Sequence, residues 1–302
     1  RPIHWGLPAS VGIEPTTACN LRCPHCPSGL RSFSRPTGRL SFERFQALVD
    51  ELHPTLLYLI LYFQGEPYLN PDFLRMARYA ADRGVFTMSS TNAHFLDPER
   101  ARQTVESQLG RLVISMDGTT QQTYEQYRVG GQFEKVLTGT RNLVAAKQAA
   151  GSAYPFIDLQ FIVFRHNQHQ IDEAHRLGRQ LGVDRVSIKT AQIYDFENQD
   201  GWIPTDEQHS RYTLTAAGYR IKNRLMNHCW KLWHAAEITW DGRVLPCCFD
   251  KDAQYEMGQF PERGFREIWR GAAYQDFRQR LLRSRGEIDI CRNCTEGTKI
   301  WS

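Results

Sequence analysis

The chain has 302 residues, 41% hydrophobic and 23% charged, an ordinary globular composition with room for one large catalytic domain plus a smaller appendage. Its net charge of +4 is dispersed, with Lys and Arg interleaved with Asp and Glu and no basic run, so no nucleic-acid partner is expected. The longest apolar stretch, 56–63, is far too short for a bilayer and no signal-peptide pattern opens the chain, so no membrane partner and a cytoplasmic location are expected.

Strand-like runs alternate with amphipathic helical patterns up to residue 190. The runs 11–15, 56–63, 86–90, 111–116, 157–164 and 185–189 are rich in Val, Ile, Leu and Phe, as buried parallel strands are. Helical patterns lie near 41–52, 71–83, 97–108, 133–150 and 168–182. Ser41, with Glu read at the third helical position, predicts a capping box. Asp97-Pro98 predicts a cap followed by an N1 proline, and Gly84 and Gly182 predict C-terminal stops. Six βα repeats predict an α/β partial barrel whose site lies at the C-terminal strand ends.

After 190 the pattern changes. Residues 195–205 are polar and irregular and read as a linker or substrate loop. The run 235–240, Asp241-Gly242, then 243–246 predicts a β-hairpin with a tight turn. A helix near 264–284 follows, then Cys291-x-x-Cys294. The expected domains are 1–205, a partial (β/α)6 barrel, and 206–302, a linker plus a small α+β domain of hairpin and helix.

The cysteines are grouped: three within Cys19–Cys26, five between Cys229 and Cys294. Without a secretion signal, metal or cluster binding explains them better than disulfides. Glu14-Pro-Thr-Thr-Ala-Cys19-Asn-Leu-Arg-Cys23-Pro-His-Cys26 supplies three thiolates after the first strand. Three closely spaced cysteines leave one iron of a [4Fe–4S] cube open to a substrate or cofactor. The competing reading is a zinc site completed by His25.

This segment resembles the radical S-adenosylmethionine (SAM) superfamily, and the resemblance extends over 11–190. It implies that Cys19, Cys23 and Cys26 hold a SAM-binding [4Fe–4S] cluster. It also implies that SAM is cleaved there to a 5′-deoxyadenosyl radical that takes a substrate hydrogen atom. The family usually has an aromatic where His25 stands. Gln64-Gly65-Glu66-Pro67 is similar to the family's glycine-glycine-glutamate motif, with Gln64 in place of the first glycine. On that likeness Gly65 and Glu66 meet the SAM amino group. Ser115 and Arg128 are similar to the ribose and carboxylate region, Asn92 is placed near ribose or substrate, and the backbone of Ile188 near adenine. Asp117 reads equally as a cap of the following helix.

Cys229, Cys247, Cys291 and Cys294 form a set of four thiolates that suits zinc or an iron–sulfur cluster on chemistry alone. The element Cys229-x12-Gly242-x4-Cys247 resembles the SPASM and twitch domains appended to radical SAM enzymes. Four cysteines suffice for one auxiliary [4Fe–4S] cluster, as in the twitch form. Cys248 remains, either as a core cysteine or as a hydrogen-atom donor to a substrate radical. Trp202, Trp230, Trp233 and Trp240 are expected to shield the auxiliary cluster.

The resemblance implies an oxidoreductase: a substrate radical beside oxygen or nitrogen loses an electron to the auxiliary cluster, as in dehydrogenation of an alcohol. The alternatives are an epimerase using Cys248 and a peptide maturase forming crosslinks. Only ten residues precede the first strand, so a leader-peptide-recognition domain is not expected within this chain. Tyr194 and Asp195, with His228, Trp230 and Lys189, are candidate substrate contacts or proton acceptors. The expected partners are a reduced flavodoxin- or ferredoxin-type electron donor and a small-molecule or peptide substrate.

Overall fold

Strands and helices alternate from residue 10 onward in the computed structural model, which describes residues 6–53, 55–198 and 201–297. The expected strand series forms as β1 (Ser10–Ile13), β2 (Tyr58–Ile60), β3 (Phe86–Thr91), β4 (Arg111–Ser115), β5 (Phe156–Val163) and β6 (Arg185–Thr190). It is followed by β7 (Tyr212–Thr215), β8 (Gly218–Ile221), β9 (Ala235–Ile238), β10 (Arg243–Leu245) and β11 (Gly258–Gln259). The helices through the strand series are α1 (Pro27–Leu30), α2 (Phe42–Leu52), α3 (Phe73–Ala81), α4 (Pro98–Glu106), α5 (Gln121–Tyr127), α6 (Phe133–Ala149) and α7 (Ile171–Leu181). Those beyond it are α8 (Lys231–His234), α9 (Phe265–Arg270), α10 (Ala272–Ser284) and α11 (Asp289–Arg292).

Several local signals act as read. Asp97 accepts from the Arg100 backbone ahead of Pro98, and Gly182 closes α7 with φ 75°. The capping box does not form. Helix α2 starts at Phe42, so Glu43 is its second residue, and Ser41 Oγ accepts from the third, Arg44 N. The helix expected at 264–284 is two, because Gly271 is extended (φ −68°, ψ 169°) and ends α9 before α10 begins. The elements that went unread include α5, capped by Thr120, and the β7–β8 hairpin.

The chain forms two compact units that interleave along the sequence. The first lies within 1–18, 33–88 and 223–302. Here β1 is flanked by two parallel neighbours, β2 (Ser10↔Tyr58) and β9 (Ser10↔Ala235), and β2 pairs in parallel with β3. Strand β9 turns through Asp241-Gly242 into antiparallel β10, which pairs with β11. Gly242 has φ 95°, and a Cβ there would lie 2.0 Å from the Phe260 carbonyl oxygen. Helix α2 buries Phe45, Leu48, Val49 and Leu52 at helical spacing. Beneath β1 the fully buried Glu14 carboxylate receives two bonds from Arg35, at 2.6 and 2.8 Å.

The second unit lies within 19–32 and 89–222. Strands β4, β5 and β6 are parallel, and β4 is buried almost throughout. Asp158 on β5 binds Arg111, Arg185 and Ser187, joining the three strands. Burial opposes its charge, but these three bonds win and hold the carboxyl below its usual range.

Candidate active site

In the second unit, Cys19, Cys23 and Cys26 occupy one tight loop. Cys26 N donates to Cys23 O (3.2 Å), Leu21 N to Cys19 Sγ (3.5 Å), and Cys26 opens α1, accepting from Leu30 N (2.9 Å). Gly29 on α1 permits this packing, since a Cβ there would lie 2.5 Å from Cys23 N. Cys23 is buried in a cluster with Leu21, Tyr127, Phe164, Ile193 and Ile203, with Cys19 and Cys26 packed against it.

Arg128, expected on SAM, is bonded in this structure to Asp117 (Nε–Oδ2 2.6 Å) and reaches Cys23 Sγ at 3.9 Å. Asp117 is therefore no helix cap. Thr120 caps α5, and the other Asp117 oxygen accepts from Ile162 N at 2.8 Å. Burial pushes the Cys23 thiol up and Arg128 draws it back. Asn92 donates to Asn20, between the first two cysteines, at 2.7 Å. Ser115 is buried with its Oγ 3.3 Å from Ser90 Oγ, and Ile188 is half-buried on β6 opposite Phe161. Trp202 packs edge-on against His25 at 4.9 Å and on Phe164 at 5.6 Å. It thus packs by the first cysteine loop rather than shielding the second cysteine set as expected, because Trp202, with Phe196 and Ile203, joins the apolar cluster that buries Cys23. Tyr194 and Asp195 are exposed, and Asp195 accepts from Asn198.

In the first unit, Gly65 follows β2 with φ 77°, and a Cβ there would lie 2.2 Å from Thr16 O. This close approach lets Glu66 N donate to Ala18 O at 2.8 Å. The Glu66 carboxylate is buried and accepts from Tyr68 N at 3.4 Å.

The second cysteine set gathers in this unit. Cys229, Cys247, Cys291 and Cys294 line one cavity, together with Lys231 and Arg285. Among the described residues no three His, Cys, Asp or Glu side chains converge on a single ion. The four thiols form cavity walls, and a buried guanidinium lies among them. Burial pushes Cys291 up to about 11, so loading a metal group here releases protons. This donor set, four soft sulfurs beside a fixed cation, fits an iron–sulfur cluster. Gly297 leaves room for Cys229, whose Sγ lies 2.3 Å from where a Cβ would stand. Cys248 is exposed, a free thiol whose sulfur accepts from Cys247. Lys231 pairs with Glu296 at 2.7 Å. His228 and Trp230 are exposed, and Trp240 packs over Gly38 with its Nε1 donating to Pro36 O.

Two residues were not singled out from sequence. Arg285 is one of several arginines at a basic helix end, and nothing in the sequence sets it apart. Glu237 sits in a strand otherwise read as apolar. Its carboxyl is buried and its Oε1 has no hydrogen-bond partner. It occupies the space left by Gly12 on β1, where a Cβ would lie 2.1 Å from that oxygen.

Comparison with known proteins matches residues 13–177 to the radical SAM superfamily and residues 229–295 to SPASM, an iron–sulfur cluster-binding domain. The AdoMet-dependent heme synthase of Methanosarcina barkeri is 30% identical over 88% of this chain and 83% of its own length. The mycofactocin maturase MftC of Mycobacterium tuberculosis is 32% identical over 98% of this chain and 81% of its own. Among solved structures, BtrN in complex with AdoMet and 2-DOIA superposes with TM-score 0.60 at 17% identity, covering 96% of this chain and 94% of that one. AnSMEcpe with bound AdoMet gives TM-score 0.68 at 15% identity, over 91% and 81%. These likenesses show the fold, a partial (β/α)6 barrel with an auxiliary iron–sulfur domain. The cofactors that go with it are SAM, its [4Fe–4S] cluster and an auxiliary cluster. No helix among the described residues is long and apolar enough to cross a membrane.

Proposed function

Because this chain belongs to the radical SAM superfamily, we propose that it oxidises its substrate by two electrons, starting with abstraction of a hydrogen atom. When bound, SAM and its cluster supply the 5′-deoxyadenosyl radical, and the auxiliary cluster supplies an acceptor for one electron. In this reading Cys19, Cys23 and Cys26 hold the first cluster, and Cys229, Cys247, Cys291 and Cys294 the second. The functional division falls near residue 205.

The remaining roles are assigned to the chain's own groups. The Asp117–Arg128 pair fixes a cation beside Cys23. Arg128 is thereby held to face a carboxylate or thiolate without reorganising. The bend at Gly65 presents the buried Glu66 carboxylate to an ammonium group. Asn92 fixes the Asn20 amide of the cluster loop, and Ser115 and the Ile188 backbone contribute to the ribose and adenine side. His25 and Trp202 exclude water from that loop. Tyr194 and Asp195 remain candidates for accepting the proton that oxidation releases. A reduced flavodoxin- or ferredoxin-type donor completes the cycle, in the cytoplasm.

The observation that carries the oxidative reading is the second four-cysteine cavity. A group held by four thiolates has no open iron for substrate, which leaves electron transfer as its use. A peptide substrate is the second reading, favoured by a relative named for peptide chemistry, the PqqA peptide cyclase of Gluconobacter oxydans, 26% identical. Epimerisation through Cys248 is the third, resting on its exposed thiol.

Anaerobic reconstitution tests the assignment. The chain is expected to carry about eight irons, and Cys19→Ala with Cys23→Ala and Cys26→Ala to lose about half of them together with SAM cleavage. Mass spectrometry of the product made in D2O then separates the reactions. Loss of two hydrogens supports oxidation. An unchanged formula carrying solvent deuterium, abolished by Cys248→Ala, overturns it.

A further inference from the structure

Two arginines of the first unit, Arg278 and Arg285, are buried to 0% and 1% exposure. Such a charge needs an anion or an equivalent partner, since burial strips it of the water that would otherwise stabilise it. Arg278 has its partners. Its guanidinium lies 4.4 Å from the Trp269 ring centre and 4.8 Å from that of Tyr274, and it donates to the carbonyls of Leu232 and Trp269.

Arg285 is different. Its Nη1 donates to His228 O at 2.8 Å, and its Nη2 to Glu296 O at 2.8 Å and to Cys294 Sγ at 3.3 Å. Cys291 lines the same cavity. The backbone is pinned as well, Arg285 N donating to Asn227 Oδ1 at 3.0 Å. Among the described residues no Asp or Glu pairs with this guanidinium. The carbonyls fix its orientation. The one carboxylate among the described residues of the cavity lining, Glu296, is paired with Lys231 at 2.7 Å, and the sulfurs of the same cavity face the guanidinium.

We propose that Arg285 sets the redox poise of the auxiliary cluster: its guanidinium, bonded to Cys294 and sharing one cavity with Cys229, Cys247 and Cys291, stabilises the one-electron-reduced form and so raises the reduction potential. The half-reaction adds one electron and no proton, since an arginine stays protonated throughout. Each electron gained increases the negative charge facing a cation that cannot move away, and hydrogen bonds to cluster sulfurs act in the same direction. The site is thereby suited to accept an electron rather than to supply one. This rests on the reading that Cys229, Cys247, Cys291 and Cys294 are the ligands.

The full chain carrying Cys19→Ala, Cys23→Ala and Cys26→Ala holds the auxiliary cluster alone, and its midpoint is read by mediated redox titration with EPR detection. Arg285→Gln is expected to shift the equilibrium about tenfold toward the oxidised form, 59 mV for one electron. Arg285→Lys, which keeps the charge and loses the fork, is expected to fall between. A Gln variant that titrates with the parent overturns the inference. If that variant does not retain iron, protein grown on 15N-arginine decides the matter. A nitrogen coupling at the reduced auxiliary cluster is expected, and its absence overturns the inference equally. Cys291→Ala with Cys294→Ala tests the underlying assignment separately, because iron surviving there sinks the ligand set itself.

Discussion

Glu237 shows what a single buried group does to the whole stability curve. Burial pushes its carboxyl well above the usual carboxylate range, Cys248 and Glu14 act in the same sense, and Lys231 opposes them. The folded protein therefore holds a proton that the unfolded chain releases near the ordinary glutamate value. Stability is full below that value and declines as pH rises through the window up to the folded pKa, by at most about 1.4 kcal/mol per pH unit. Glu237→Gln, close in shape to the protonated form, is expected to flatten this decline. Urea midpoints between pH 5 and 8 check it, and a slope equal to that of the parent would show the carboxyl is already ionised. Sequence pattern could not reveal this residue, nor Arg285, because both are defined by what surrounds them. The grouping of the cysteines was legible because thiolate spacing is itself the chemical signal, whereas Gly65-Glu66 was singled out by its likeness to the family motif, and the bend at Gly65 is seen only in the structure.

Among the elements, the strands were readable because β-branched and apolar runs buried on both faces have no competing interpretation, as β4 illustrates. Their ends were not, since β2 keeps only three residues of the long run 56–63. Helix α5 and the β7–β8 hairpin escaped because their patterns are polar and short, and only their closing contacts define them. The Asp241-Gly242 turn was readable, and its glycine is required twice over, by φ 95° and by the Phe260 carbonyl. Gly242→Ala adds a left-handed backbone cost of roughly 1–2 kcal/mol to that collision. It is expected to lower iron content by about half while SAM cleavage persists. Full iron loading in the variant would show that the turn does not organise Cys247.

At the scale of the molecule, the buried Glu14–Arg35 pair ties distant parts of the chain, because Arg35 Nε also donates to Lys251 O at 2.9 Å. Burial outweighs Arg35 and leaves the Glu14 carboxyl raised, so the pair is no large source of stability in itself. Removing one partner is another matter. Arg35→Met is expected to cost about 3–5 kcal/mol, read as a lower denaturant midpoint. The six-strand βα order was legible from sequence because it is written in chain order. The pairing of β9 beside β1 was not, since residues 10 and 235 carry no mutual signal along the chain.

That pairing has a consequence for how the protein is made. While a ribosome is still translating the middle of the message, β1 has β2 on one flank and bare amides and carbonyls on the other, a template for stray association between nascent chains. That flank is covered only once Ala235–Ile238 has emerged and paired with it.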